Sequence, residues 1–228
     1  MRRSEINTIL RNTEAFLREN RFHLPPFATW SPADWQAKGA EAAEIVDNQL
    51  GWDITDFGTG DFDQCGLSLF TLRNGSPDNA RTGTGKTYCE KVAMMRQGQA
   101  CPHHHHFVKV EDIINRGEAP LAVTLHNSAD DGSFADTPVT VSLDGVVHTL
   151  PAGAEVRLRP GESVTLVPGC YHALTAPEGD VLFGEVSVVN DDHADNRFHT
   201  PVGRFPAIEE DEPPLYLLVQ DYGRYWRG

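Results

Sequence analysis

The sequence predicts an all-β sandwich or barrel carrying an N-terminal helical extension. Three observations predict it. From about Phe62 onward, short runs of apolar and β-forming residues alternate with turn signals. No strand–helix–strand alternation appears among them, so a parallel sheet is excluded. The first 50 residues have helical periodicity instead.

The elements follow in order. Ile6, Ile9, Leu10, Thr13, Phe16 and Leu17 recur at three- and four-residue steps, a helix stripe with Ser4 as its expected N-cap. Pro25 and Pro26 stop it. Ser31 followed by Pro32 starts a second helix, expected to run through Ala40 to Val46, with Gly39 as its weak point and Gly51 as its end. Strands are expected at 67–73, 88–96 and 121–127. Runs 139–143 and 146–150 flank Asp144-Gly145, the strongest hairpin signal in the chain. Runs 155–159 and 163–167 flank Pro160-Gly161, and 181–189 is a long final strand. The expected organisation is a helical extension over 1–60 packed on a barrel domain over 61–228.

Composition bounds the function. A chain of 228 residues can bury a sizeable core, and 39% hydrophobic residues with 15 prolines and 20 glycines suit a turn-rich globular protein. A net charge of −14 argues against nucleic acid or an anionic membrane as partner. No apolar run approaches the ~18 residues of a membrane span. The charged first 25 residues leave no room for a signal peptide's apolar region. Cys65, Cys89, Cys101 and Cys170 are scattered, as free thiols of a cytoplasmic protein would be; Cys101 and Cys170 fall near the two clusters described next. Gly83 to Thr87 imitates the end of a phosphate-binding loop. The position where that motif needs its first glycine is Ala80, and a strand-like run follows, so a surface loop is expected.

The chemistry gathers at 103–106, four consecutive histidines. His104 and His106 are two apart and share a face on a strand. Glu111 joins them once the chain turns. A second cluster, Pro168-Gly169-Cys170-Tyr171-His172, supplies a further imidazole. Three imidazoles and a carboxylate suit Mn²⁺, Fe²⁺, Co²⁺, Ni²⁺ or Zn²⁺, and a six-coordinate ion keeps two positions open. Those two positions suit adjacent oxygens of an open-chain sugar.

Both clusters together resemble the two motifs of the cupin superfamily: Gly98, His104, His106, Glu111 and Gly117, then Gly161, Pro168, Gly169 and His172. The second motif lacks its closing Asn. The run from His104 through Lys109 and Glu111 to Gly117 is similar, more narrowly, to the longer bacterial form of the D-lyxose isomerase family. So are 190–198 and 204–212. The resemblance places the metal-binding pair at His104 and His106 rather than His103 and His105. It implies a cupin double-stranded β-helix, a jelly-roll barrel, holding one divalent ion, manganese first, on His104, His106, Glu111 and His172. It implies interconversion of D-lyxose and D-xylulose, with D-mannose and D-fructose as further substrates, in a homodimer.

Such an isomerase needs a base to carry a proton between C1 and C2 through an enediol. Carboxylate candidates are Glu185, Glu209, Glu210 and Glu212. The resemblance orders them Glu210, Glu209, then Glu185, although an acidic run is ordinarily a solvated face. Lys109 and Arg197 are the expected catalytic partners, and Lys91, Glu185 and Asp195 the expected sugar contacts. An iron-dependent cupin oxygenase and a non-catalytic sugar-binding cupin use the same metal shell and stand as alternatives.

Overall fold

The computed structural model describes residues 1–228, apart from the side chain of Ala80. Helix α1 spans Arg3–Glu19 and buries Ile6, Leu10 and Leu17. It starts at Arg3, two residues earlier than Ser4 would allow as a cap. Ser4 instead bonds the Asp211 carboxylate through its N–H (2.9 Å) and its hydroxyl (2.6 Å). Helix α2 (Pro32–Gln36) opens on a reciprocal cap between Ser31 and Asp34. The expected long second helix is broken. A 3₁₀ turn (Ala40–Ala42) and helix α3 (Ala43–Asp47) follow the extended Gly39, whose N–H donates to Glu41 Oε1 at 3.1 Å.

The strands are β1 (Gly51–Thr55), β2 (Leu67–Arg73), β3 (Tyr88–Met95), β4 (Ala100–His105), β5 (Glu111–Asn115), β6 (Leu121–Ser128), β7 (Phe134–Ala135), β8 (Val139–Leu143), β9 (Val146–Leu150), β10 (Ala154–Leu158), β11 (Ser163–Leu166), β12 (Cys170–Thr175), β13 (Val181–Val188) and β14 (Arg197–Phe198). A short helix α4 (Asn79–Thr82) precedes β3, and α5 (Tyr222–Tyr225) lies near the C-terminus. The 83–87 loop starts at the left-handed Gly83 that ends α4, and Lys86 pairs with Glu44.

One sheet has the order β1-β2-β3-β13-β5-β11-β8-β9; the other runs β10-β6-β12-β4-β14, with β7 on β6. Their pairings are antiparallel throughout. The two sheets share one core, with Leu69, Ile113, Val164 and Phe183 from the first against Leu121, Val123, Leu125 and Leu174 from the second. This is the all-β cupin jelly roll that the motifs imply. The β8–β9 hairpin turns on Asp144 (φ 49°) and Gly145 (φ 84°), the positive-φ pair that Asp-Gly signals.

The 1–60 segment is not helical to its end. Strand β1 pairs with β2 along its length, from Gly51↔Thr71 to Thr55↔Leu67, and is buried throughout. The sequence reading missed it because Gly51 looks like a helix stop. Gly51 has φ 121°, and a Cβ there would lie 2.3 Å from the Tyr222 hydroxyl. Helix α1 packs on the sheet's other face, where Ile6, Leu10 and Leu17 meet Trp52, Phe70, Val92 and Leu182.

Candidate metal centre

The β4 strand delivers the histidines. Its His104 faces His172 of β12 across the ladder. His106 follows directly after the strand's end. The imidazole nitrogens of His104, His106 and His172 all lie within 4.8 Å of one another. Each ring's Nδ1 meets a backbone carbonyl: Pro102 for His104 (2.9 Å), Asp195 for His106 (2.5 Å), Cys170 for His172 (3.1 Å). Donation there fixes the tautomer and leaves the Nε2 lone pair pointing inward. Burial, reinforced by His172 and His106, pushes His104 well below the ordinary histidine range and keeps it neutral.

Glu111 comes from the opposite sheet as the first residue of β5. Its Oε1 lies 3.3 Å from His106 Nε2 and 3.1 Å from His172 Nε2. His106 Nε2 and Glu111 Oε1 are both buried without a hydrogen-bond partner among the described residues. Imidazole lone pairs turned toward a bare carboxylate oxygen repel it, and a borderline divalent cation relieves that repulsion. The donor set therefore fits such an ion. Cys101 and Cys170 offer no thiolate: burial pushes their thiols up to about 12 and about 11.

The remaining members of the histidine run turn away. His103 packs on His126 and Phe134, and His105 on Tyr171, with ring centroids 4.5–5.6 Å apart.

Beside the ligands is a cavity of about 50 Å³ whose polar wall is built on two lysines. Lys109 Nζ reaches Glu111 Oε2 (2.7 Å), Glu185 Oε1 (2.8 Å) and Asn190 Oδ1 (3.2 Å). Lys91 Nζ reaches Asn190 Oδ1 (2.8 Å) and Glu185 Oε1 (3.3 Å). Glu185 sits opposite Lys91 in the β3–β13 ladder, which explains the pairing. Both lysines are nearly inaccessible, at 4% and 3% exposure. Burial alone would lower them; the Glu111 and Glu185 carboxylates raise Lys109, and those of Asp192 and Glu185 raise Lys91. Burial likewise works to raise Glu111, and the Lys109 ammonium together with the contacts to His106 and His172 more than offsets it, holding that carboxyl well below the usual range.

Four expected residues are not brought to this cavity. Glu210 forms a two-pronged ion pair with the fully buried Arg3 (2.9 and 2.8 Å), and Glu209 pairs with Arg2 at the surface (3.5 Å). Both belong to the contact between α1 and the C-terminal segment. Arg197 is exposed, and its guanidinium donates to the Asp131 carbonyl at 3.0 Å. The Asp195 carboxylate accepts the backbone N–H groups of residues 107–109.

Sequence reasoning missed Arg204. It lines the cavity, pairs with Asp53 (2.6 Å) and Asp192 (3.1 Å), and keeps a buried Nη1 without a partner among the described residues. Its partners come from β1 and from the chain after β13, so no local spacing announces it.

A family model described as D-lyxose isomerase matches residues 1–222. A D-lyxose/D-mannose isomerase of Serratia proteamaculans is 50% identical over 228 residues, covering 99% of both chains. The one of Escherichia coli O157:H7 is 46% identical, covering 99% of this chain and all of its own. Among solved structures, the L-ribose isomerase of Acinetobacter sp. DL28 superposes with a TM-score of 0.60 at 19% identity, over 92% of this chain and 98% of its own. At that identity the likeness speaks for the fold alone.

Proposed function

The chain belongs to the D-lyxose isomerase family, and from that premise we propose that it interconverts D-lyxose and D-xylulose, and D-mannose and D-fructose, by moving a proton between C1 and C2. His104, His106, Glu111 and His172 hold one divalent ion, proposed to be Mn²⁺. When bound, that ion supplies Lewis-acid polarisation of the sugar's carbonyl.

The chain's own residues supply the rest. Glu185 is the base. The observation that carries this assignment is its position inside the cavity, held by Lys109 and Lys91, whereas Glu209 and Glu210 lie at the α1 contact. The base role therefore moves away from the order that the family resemblance suggested. Lys109 bridges Glu185 and Glu111, so it stands where an oxyanion develops as the C–H bond breaks. Lys91 orients Glu185 and donates to sugar hydroxyls. The near-complete burial of the lysines excludes bulk water from the transfer.

The test is Glu185→Gln with aldose in heavy water. Ketose formation should fall on the order of 10²–10⁴-fold, the usual loss on removing a general base. Bound metal should stay unchanged, and wild-type product should carry solvent deuterium. Full activity in Glu185→Gln would move the base elsewhere.

The chain is further proposed to act as a cytoplasmic homodimer. Four free cysteines support the compartment. The exposed Tyr88, Val186 and Val188 on the paired β3 and β13, with Val110 bonded beside them just before β5, support a protein contact. A monomer mass in sedimentation at micromolar protein would exclude the dimer.

A further inference from the structure

We infer that Asp195 is a positioning residue that joins the chain after β13 to the metal ligands, rather than the sugar contact that the sequence suggests. It makes two kinds of contact in one place. Its carbonyl accepts from His106 Nδ1 at 2.5 Å. Its carboxylate accepts from three successive backbone N–H groups: Phe107 (2.7 Å) and Val108 (2.9 Å) on Oδ1, Lys109 (2.8 Å) on Oδ2. Its own N–H is anchored on the Asp191 carbonyl at 3.0 Å.

The three amides lie between β4 and β5, outside any ladder, on a turn whose side chains Phe107 and Val108 are 54% and 73% exposed. Packing does little to hold that turn. A carboxylate collecting three amides does, because charge-assisted bonds are the stronger kind. The turn matters because His106 begins it and Lys109 ends it. One therefore aims an imidazole at the ion, and the other places an ammonium between Glu111 and Glu185. Partners of this kind behind a ligand usually set its orientation and basicity. Asp195 is not among the residues lining the cavity, and its carboxylate is already occupied by the three amides.

This inference rests on the reading of the three histidines and Glu111 as metal ligands, and its test uses readouts that need no turnover. Full-length Asp195→Ala and Asp195→Asn are compared with wild type. In metal-free protein, amide exchange at Phe107, Val108 and Lys109 should accelerate together in the alanine variant. In the asparagine variant it should accelerate on one side only, since one carboxamide atom still accepts and the other now donates. Affinity for Mn²⁺, read by competition with a chelating dye, should fall about 10–100-fold in the alanine variant and less in the asparagine variant. Should the alanine variant not fold, the one-sided exchange in the asparagine variant decides. Unchanged exchange and unchanged Mn²⁺ affinity, with only KM for the sugar raised, would overturn the inference. Lowered Mn²⁺ affinity beside a wild type inactive on every aldose would leave it standing and sink the isomerase reading instead.

Discussion

Lys109 pairs with the buried Glu111 and the half-buried Glu185 at once, which makes it hard to replace. Its ammonium touches Glu111, Glu185 and Asn190 within 3.2 Å. Removing one partner of a buried charge network costs about 3–5 kcal/mol, because the survivors keep their desolvation penalty. Lys109→Met should therefore lower the unfolding free energy of the metal-free protein by about that amount in urea titration. Lys109→Arg should recover little of it, since a planar fork cannot reproduce three contacts made by a compact point donor. Loss below about 1 kcal/mol in Lys109→Met would mean that the two carboxylates are solvated. Histidine residues give a second expectation, with a definite sign. His103 is held down to about 4 by burial, and His104 lies well below 6.5 for the same reason. Their folded values lie below the unfolded ones, so the unfolded chain binds protons first. Stability from these groups is complete above about pH 6.5 and is lost as pH falls toward the folded values. His103 is only partly buried, so solvent screens its share. A net loss of about 1–2 kcal/mol between pH 7 and pH 5 is expected for the metal-free protein. Relief of the negative net charge acts the other way but is weak at 0.15 M salt, where the Debye length is about 8 Å. Stability that holds level or rises toward pH 5 would contradict the assignment.

At the scale of the element, β4 decides which histidines join the candidate metal centre. Alternation sends His104 inward, while His103 and His105 pack against Phe134 and Tyr171. His103→Gln with His105→Gln should keep Mn²⁺ binding nearly intact while lowering Tm through lost aromatic contact. A folded double variant without metal would put the site on the other face. The same strand shows where reading the sequence works and where it stops. Strands β2, β8 and β9 were legible residue for residue, because β-branched runs, alternation and an Asp-Gly turn are local signals. The run Ala100–His105 has none of these, since proline and histidines have little strand preference; the ladders to β12 and β14 hold it extended. Glu185, Lys91 and Lys109 were each legible as candidates, but their convergence on one cavity, and the precedence of Glu185 over Glu209 and Glu210, were not. The lysines stand far from Glu185 in sequence, and only the β3–β13 register brings Lys91 opposite it. An acidic run at 209–212 drew attention through family likeness, although charge runs are ordinarily solvated or, as here, paired across a surface contact.

At the scale of the whole molecule, the two chain ends close on each other, and the expected boundary at residue 60 cuts through that closure. Arg3 is fully buried and forked onto Glu210 and Asp221, with contacts of 2.8–3.0 Å. Its backbone N–H donates to the Glu209 carbonyl, and Glu209 donates back to Met1. Strand β1 then covers what would otherwise be the edge of the larger sheet. Behind it, α1 covers Phe70, Val92 and Leu182, which belong to β2, β3 and β13. A fragment starting at residue 61 therefore exposes an open β2 edge and a broad apolar face, and leaves Asp221 without the arginine that neutralises it. Burying Phe70 and Leu182 alone contributes about 1.5–3 kcal/mol each, so the fragment loses a large part of a typical domain's 5–15 kcal/mol. The 61–228 fragment should fail to give a cooperative urea transition and should aggregate or bind a hydrophobic dye. The full chain with Arg3→Met separates the two contributions. It keeps β1 and α1 but strands two carboxylates, and should lose about 3–5 kcal/mol while still unfolding in one step. A fragment that unfolds cooperatively and still binds Mn²⁺ would show that 1–60 is an appendage. A normal Mn²⁺ content in Arg3→Met, beside a lowered unfolding free energy, would place the Arg3 lock outside the metal centre, where the separation of Glu210 from the cavity also puts it.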